Sequence, residues 1–121
     1  MRVLIVDDSP AVRVRLHALL VEAAEGIEVR EAASRRDAIA AAREGTDVVI
    51  LDLHLGEDSG LASIEALRAA SPGVEIVVLT NDASEHHRRE SAARGAVWFF
   101  DKSREFDRAV DLVVERARAA R

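Results

Sequence analysis

Four stretches of consecutive apolar residues punctuate the chain, and a weaker, partly alternating stretch follows the first of them. Each stretch is bounded by polar residues and too short for a helix, so the pattern predicts five strands. The strands are Val3–Val6, Ile27–Glu31, Val48–Leu51, Glu75–Leu79 and Val97–Phe100. Runs without polar alternation are typical of strands buried on both faces, as in a parallel sheet that helices cover.

Apolar residues recur at helical spacing in most of the segments between these strands. Ser9 and Pro10 predict a helix start, with Ser9 as N-cap, and Gly26 ends that helix. Ser34 caps the next helix, which stops at Gly45. Further helices are predicted over Leu61–Ala70, over the polar segment Asp82–Arg94, and from Arg104 onward. Because helices between parallel strands form right-handed crossovers, the sequence predicts an α/β fold with a doubly wound sheet.

Composition narrows the class of protein. A length of 121 residues suits one domain, and we expect residues 1–121 to form it without a linker. The net charge of −5 argues against direct nucleic-acid binding by this domain. The chain has no cysteine, so thiolate metal sites are excluded. Its apolar runs are too short for a signal peptide or a membrane span, so we expect a cytoplasmic location and no membrane partner.

Polar residues that can carry chemistry follow four of the five strands. Asp7 and Asp8 follow the first strand, Asp52 the third, Thr80 the fourth and Lys102 the fifth. Ligands of open α/β sheets bind at the carboxyl ends of the strands, so we expect these residues to share one edge. Neighbouring carboxylates repel one another, and a hard divalent cation such as Mg²⁺ relieves that repulsion.

Phosphoryl transfer matches this set of side chains. It requires positioning and charge neutralisation, which a metal ion, a lysine and a hydroxyl can supply. Carboxylates also serve as phosphoryl acceptors and form aspartyl phosphates. Asp52 follows the most apolar strand and is the best candidate nucleophile, with Lys102 and Thr80 as partners of the anion.

Four motifs in order make the chain similar to the receiver domains of two-component response regulators. The motifs are Val6-Asp7-Asp8-Ser9, Asp52-Leu53 through Gly60, Leu79-Thr80, and Lys102, and the resemblance covers essentially the whole chain. It implies a flavodoxin-like sheet with strand order 2-1-3-4-5. It also implies a Mg²⁺-dependent phosphoacceptor switch that assists its own phosphorylation and dephosphorylation and is not an enzyme acting on a separate substrate.

The resemblance also implies roles for individual residues at the strand ends. Asp52 corresponds to the phosphoacceptor and Asp8 to the direct Mg²⁺ ligand. By the same resemblance, Asp7 would mainly hold metal-bound water, and the backbone carbonyl of His54 would complete the metal site.

A second group of residues would bind the phosphoryl group and respond to it. Lys102 corresponds to the phosphate-pairing lysine. Thr80 corresponds to the hydroxyl residue that moves toward the phosphoryl group, and Phe99 corresponds to the aromatic switch residue. The implied phosphate donor is a histidine kinase or a phosphotransfer protein. The face formed by the fourth helix, fifth strand and fifth helix would bind a downstream protein.

Several residues depart from the family pattern or vary within it. Ser103 stands where proline usually follows the lysine, often through a cis bond, which leaves the conformation of the Lys102 loop open. Gly56 stands where proline is common, and Asn81 where a smaller residue is usual. His54 and Asp82 occupy variable positions that tune dephosphorylation in this family.

Three other functions remain to be weighed against the switch. The chain could be the receiver half of a longer DNA-binding regulator. An aspartate-nucleophile phosphatase of the haloacid dehalogenase type needs an acid two residues after the nucleophile, where this chain has His54. A flavin-binding domain of the same fold needs a Ser/Thr-rich phosphate loop after the first strand, which is absent from the sequence.

Overall fold

The structure is a computed structural model that describes residues 1–120, in which the strands of the main sheet alternate with helices. Five strands form the main sheet: β1 (Arg2–Val6), β2 (Glu28–Ala32), β3 (Val48–Leu51), β4 (Glu75–Thr80) and β5 (Trp98–Asp101). Five helices connect or follow them: α1 (Pro10–Ala23), α2 (Arg35–Arg43), α3 (Gly60–Ala70), α4 (Glu85–Ala93) and α5 (Phe106–Ala119). The prediction of five strands alternating with five helices is confirmed.

The strand order in the main sheet is 2-1-3-4-5, and every adjacent pair is parallel. This is the predicted flavodoxin-like, doubly wound arrangement. The central strand β3 is buried along its whole length, as its unbroken apolar sequence indicates. All five strands therefore point their carboxyl ends toward the same edge, where the candidate chemistry was expected.

The sheet separates two hydrophobic cores. One lies between the sheet and helices α1 and α5, and includes Leu16, Ile50 and Val113. The other lies between the sheet and helices α2 and α3; we call it the α2–α3 core, and it includes Val49 and Ile64. Alternate residues of each strand enter opposite cores, so each strand connects the two.

The helix starts follow the sequence signals closely. Ser9 caps α1 by accepting a hydrogen bond from the Val12 N–H, with Pro10 in the first turn. Ser34 caps α2 in the same way, by accepting from the Asp37 N–H. Helix α4 starts three residues later than predicted because Ser84 acts as its N-cap. No helix within residues 1–120 is long and apolar enough to cross a membrane.

The segment after β3 contains a second pair of strands that the five predicted strands do not include. Residues His54–Leu55 and Asp58–Ser59 pair as a short antiparallel hairpin outside the main sheet. Gly56 lies in its turn with a φ of 61°, a conformation that glycine adopts without strain. The buried side chain of Leu55 anchors the hairpin to the α2–α3 core.

Candidate functional site

Strands β1 and β3 bring two carboxylates together at the predicted edge of the sheet. Val6 pairs with Leu51 in the parallel register, and the Asp52 N–H donates to the Val6 carbonyl at 2.9 Å. Asp7 and Asp52 follow directly and are only 3% and 7% exposed. Burying two like charges side by side is costly unless a cation compensates them.

Lys102 supplies that cation from the end of β5. Its ammonium lies 2.7 Å from Asp7 Oδ2 and 2.8 Å from Asp52 Oδ2, and bridges the two carboxylates. The Lys102 N–H donates to the Thr80 carbonyl, which fixes the start of this loop against β4. Lys102 is the only lysine in a sequence rich in arginine. The ammonium of lysine is a compact charge with three donors, so one group can bind both carboxylates.

For both Asp7 and Lys102, burial shifts the pKa in one direction and hydrogen bonds shift it in the other. Burial raises the pKa of Asp7, and this effect exceeds the lowering by hydrogen bonds from Lys102 and from the Ser9 N–H. Burial lowers the pKa of Lys102, but the hydrogen bonds to Asp52 and Asp7 outweigh it, so the pKa is raised. Lys102 is therefore a stable positive charge within an acidic pocket.

Asp8 is the exposed member of the acidic group. It accepts a hydrogen bond at 3.0 Å from the N–H of Gly56, a donor that proline at this position would lack. One carboxylate oxygen each of Asp7, Asp8 and Asp52 lies within 4.8 Å of the others. A set of hard oxygen donors with an excess of negative charge fits Mg²⁺. His54 donates its N–H to Asp52 Oδ1 at 3.2 Å, and the role of its carbonyl remains a prediction.

Thr80 and Phe99 lie on the same face of the sheet. In the parallel register Val78 pairs with Phe99 and Thr80 with Asp101, so Thr80 and Phe99 are diagonal neighbours. Thr80 is fully buried, and its Oγ1 accepts a hydrogen bond from the Asp82 N–H at 3.1 Å. Phe99 is half-buried against the α2–α3 core. The structure thus brings the two predicted switch residues near each other.

The Lys102 loop is closed by Ser103, which stands where receiver domains, the family that the sequence resembles, usually have proline. The Ser103 N–H and hydroxyl both donate to Asp101 Oδ1, at 2.9 and 2.7 Å. These bonds, the hydroxyl bond first, lower the pKa of Asp101. The Asp101 N–H donates to Glu105 Oε1, which ties the loop to the start of α5. Within residues 1–120 no peptide bond is cis, so this polar turn takes the place of a cis-proline turn.

Two residues that support the site were not assigned a role from the sequence. A Cβ on Gly60 would overlap the backbone of Asp52 and Leu53, so only glycine lets α3 start this close to Asp52. Gly60 could have been identified from the sequence, because it ends the motif that begins at Asp52. Arg13 donates from α1 to the Asp7 carbonyl at 2.7 Å and pairs with Glu31. Nothing in the sequence identified this arginine, since the contact depends on how α1 packs.

Asp82 connects two histidines at the rim of the site. Its carboxylate lies 2.8 Å from His54 Nε2 and 3.0 Å from His87 Nδ1. The hydrogen bond from His54, followed by the nearby charges of the histidines, lowers the pKa of Asp82. His86 is exposed, but His87 is half-buried and holds the first turn of α4 against the β4–α4 loop.

Comparisons with known proteins identify relatives of the chain. A family model described as the response regulator receiver domain matches residues 3–114. The chain is 33% identical over 107 residues to the transcriptional regulatory protein ZraR of Salmonella typhimurium, covering 88% of this chain and 24% of that protein. It is 26% identical over 114 residues to the glycerol metabolism activator of Pseudomonas putida, covering 93% of this chain and 52% of that protein. The chain spans about a quarter to a half of the length of these relatives.

Solved structures with the same fold include the chemotaxis protein CheY4 of Vibrio cholerae. The TM-score is 0.82 at 29% identity, and the alignment covers 96% of this chain and 97% of that one. A response regulator protein from Burkholderia pseudomallei, solved with a phosphorylated aspartic acid, a calcium ion and citrate, is also similar. Its TM-score is 0.81 at 29% identity, and the alignment covers 96% of this chain and 72% of that one.

Proposed function

The chain belongs to the response regulator receiver domain family, and from this membership we propose that it is a phosphoacceptor switch with Asp52 as the acceptor. The observation that carries the proposal is the ammonium of Lys102 shared between Asp7 and Asp52 at the carboxyl edge of the sheet. The solved Burkholderia pseudomallei relative with a phosphorylated aspartic acid supports the same chemistry. We propose that residues 1–121 act as one receiver domain in the cytoplasm.

In the proposed reaction a carboxylate oxygen of Asp52 attacks the phosphorus of a phosphohistidine. The histidine kinase or phosphotransfer protein supplies this group. The new P–O bond forms as the P–N bond breaks, and the leaving imidazole nitrogen keeps the electron pair and takes a proton from solvent. Lys102 then pairs with a phosphoryl oxygen and compensates the added charge. Asp52 thus becomes an aspartyl phosphate without a change in oxidation state.

Mg²⁺ is the proposed cofactor, and its chemistry is neutralisation of charge on the phosphoryl oxygens. Asp7, Asp8 and Asp52 would hold it together with the carbonyl of His54. The support is the triad of carboxylate oxygens within 4.8 Å of one another, together with their incomplete compensation by a single lysine. The Gly56 N–H keeps Asp8 oriented at the rim of this triad.

Thr80 and Phe99 are the proposed route from the site to a downstream protein. Thr80 moves toward the phosphoryl group, and Phe99 turns inward as the threonine leaves its resting position. The face formed by α4, β5 and α5 then changes its preference for a protein partner. The diagonal placement of the two residues on one face of the sheet supports this coupling.

A second form of the proposal is that the chain is the receiver part of a DNA-binding regulator. The curated relatives favour it, because ZraR is a transcriptional regulatory protein and the chain matches only 24% of its length. The chemistry at Asp52 is the same in both forms. The forms differ only in the molecule that reads the switch.

Labelling by phosphohistidine donors tests the proposal. Candidate histidine kinases are autophosphorylated with radiolabelled ATP and mixed with wild-type protein or with Asp52→Asn in the presence of Mg²⁺. We expect stoichiometric, hydroxylamine-labile label on the wild type from at least one kinase and no label on the variant. Asp58→Asn is the matched control, because Asp58 is an exposed carboxylate on the nearby hairpin.

Two outcomes would contradict the proposal. Label that persists on Asp52→Asn would show that another residue is the acceptor. Continuous release of phosphate from a generic phosphoester, without stable labelling, would favour the aspartate-nucleophile phosphatase instead.

A further inference from the structure

Polar contacts hold helix α4 in place. Only Ser91 is buried among its nine residues, and the apolar residues of the helix are two alanines. A helix with so little apolar surface gains little from hydrophobic burial. Side-chain contacts that join the helix or its C-cap Arg94 to other segments include His87 with Asp82 and with the His54 ring, Arg94 with Glu65, Arg68 with the Arg94 carbonyl, and Arg88 with Phe99. Because burial contributes little, we expect single side-chain contacts of this kind to influence the position of α4 on the sheet.

Arg88 contacts Phe99 in two ways. Its guanidinium carbon lies 4.6 Å from the centroid of the Phe99 ring, within the range of a cation–π contact. The same guanidinium donates through Nη1 to the Phe99 carbonyl at 3.4 Å. A planar arginine side chain can stack on an aromatic face and donate to a nearby acceptor at once. The ring and the backbone of Phe99 thus meet one side chain of α4.

The Phe99 ring lies between two different surroundings. On the side of the protein interior it packs against the α2–α3 core, which holds it by apolar contact. On the outer side it meets the guanidinium of Arg88, which is itself exposed. Thr80 is its diagonal neighbour on β4. A change in the position of Arg88 would therefore change what the outer face of the ring contacts.

We propose that Arg88 is a positioning residue for Phe99 that holds the ring in this orientation and so fixes α4 to β5. The inference rests on the proposed function, because that function makes Phe99 the switch residue. Contacts present in one conformer shift the equilibrium toward it. An exposed cation–π contact of ordinary strength corresponds to a population shift of about two- to fivefold. Removing Arg88 makes the other orientation of Phe99 more accessible by that factor.

Fluorine NMR on protein labelled with 4-fluorophenylalanine measures the ring environment directly. The chain has three phenylalanines, so three resonances are expected, and Phe99→Leu assigns the one of interest. Phe100 and Phe106 serve as internal references. Arg108 lies 6.0 Å from the centroid of the first ring, and Arg15 lies 4.1 Å from that of the second.

Three variants on α4 separate positioning from charge and from helix stability. Arg88→Ala removes both contacts and keeps a strong helix former. Arg88→Lys keeps the charge but not the planar group. Arg89→Ala is the matched control, because Arg89 is exposed on the same helix and makes no hydrogen bond or ion pair within residues 1–120. Far-UV circular dichroism verifies that α4 remains folded in each variant.

We expect the Phe99 resonance to move in Arg88→Ala, to move less in Arg88→Lys, and to stay in place in Arg89→Ala. Titration with beryllofluoride and Mg²⁺ should show an apparent affinity about two- to fivefold higher for Arg88→Ala than for wild type. An unmoved Phe99 resonance in free Arg88→Ala would overturn the positioning role. Equal affinity changes in Arg88→Ala and Arg89→Ala would overturn the coupling to the switch.

The proposed function can fail separately from this inference. If no wild-type resonance responds to beryllofluoride with Mg²⁺, the phosphoacceptor switch is contradicted. The Phe99 resonance of the free Arg88 variants still decides whether Arg88 positions the ring.

Discussion

Lys102→Met removes the charge that holds the acidic site together while keeping an unbranched side chain of similar length. In the native protein the ammonium contacts Asp7 and Asp52 at 2.7 and 2.8 Å, and the lysine side chain is only 12% exposed. Methionine can occupy the same space but offers no positive charge to the two carboxylates. The substitution therefore leaves two neighbouring buried carboxylates without their shared partner.

The size of the effect follows from this geometry. At an effective dielectric constant of about 20, each contact amounts to roughly 6 kcal/mol of gross attraction, most of which offsets the cost of burying the charges. Removing one partner of a buried ion pair costs about 3–5 kcal/mol. Because the exposed Asp8 shows that the site borders solvent, we expect a loss of stability at the lower end of this range, about 3 kcal/mol. For a domain of 121 residues this corresponds to a fall in Tm of roughly 10 °C.

Unfolding at neutral pH in EDTA, monitored by circular dichroism and by Trp98 emission, measures the loss of stability in Lys102→Met. Without the Lys102 hydrogen bond, the pKa of Asp7 rises further above its ordinary value. A group whose folded-state pKa exceeds its unfolded value stabilises the protein at low pH and loses that effect as pH rises. The deficit of the variant should therefore shrink as pH falls. Mg²⁺ should raise the Tm of the variant more than that of wild type, since it replaces the lost charge.

Arg89→Met is the control for the loss of one positive charge elsewhere, and should change the free energy of unfolding by less than about 0.5 kcal/mol. A Lys102→Met protein within about 1 kcal/mol of wild type in EDTA would refute the reasoning, because the two carboxylates would then not depend on Lys102. An equal effect of Mg²⁺ on both proteins would refute the shared site.

Two further predictions concern Gly60 and Asp101. Gly60→Ala places a Cβ against the Asp52 backbone. We therefore expect the free energy of unfolding, measured in urea, to fall by about 1–3 kcal/mol, together with weaker labelling of Asp52. Wild-type stability with full labelling would count against the close approach. The pKa of Asp101 is lower in the folded protein than its ordinary value. Asp101 therefore stabilises the fold at pH values above that ordinary value, and this stabilisation is lost as pH falls through the folded-state pKa. Asp101→Asn should therefore show a shallower loss of stability than wild type below about pH 4, and parallel acid profiles would show that the Ser103 turn contributes nothing.

The sequence was a good guide wherever local signals and burial agree. The unbroken apolar run Val48–Leu51 is the fully buried central strand, because only a strand covered on both faces tolerates such a run. Ser9 and Ser34 marked helix starts that the structure contains, since an N-cap acts within a few residues of itself. Asp7, Asp52 and Lys102 meet at one edge because parallel strands align their carboxyl ends.

Contacts between distant segments could not be predicted in the same way. The hydrogen bond from Gly56 to Asp8 joins residues 48 positions apart and depends on a hairpin that is not among the strands predicted from the sequence. In the sequence Ser103 is only a departure from the proline of the family pattern. The structure shows that its N–H and hydroxyl close the turn on Asp101.

By itself the sequence determined the alternation of strands and helices, the single sheet and the acidic residues at its edge, because periodicity and strand ends are local properties of the chain. Tertiary structure alone decided which charges compensate one another and which side chain covers Phe99. Lys102 reaches two carboxylates 95 and 50 residues away, and Arg88 reaches β5 from a helix that buries almost nothing. Such contacts depend on how whole elements pack, and no pattern within one segment encodes them.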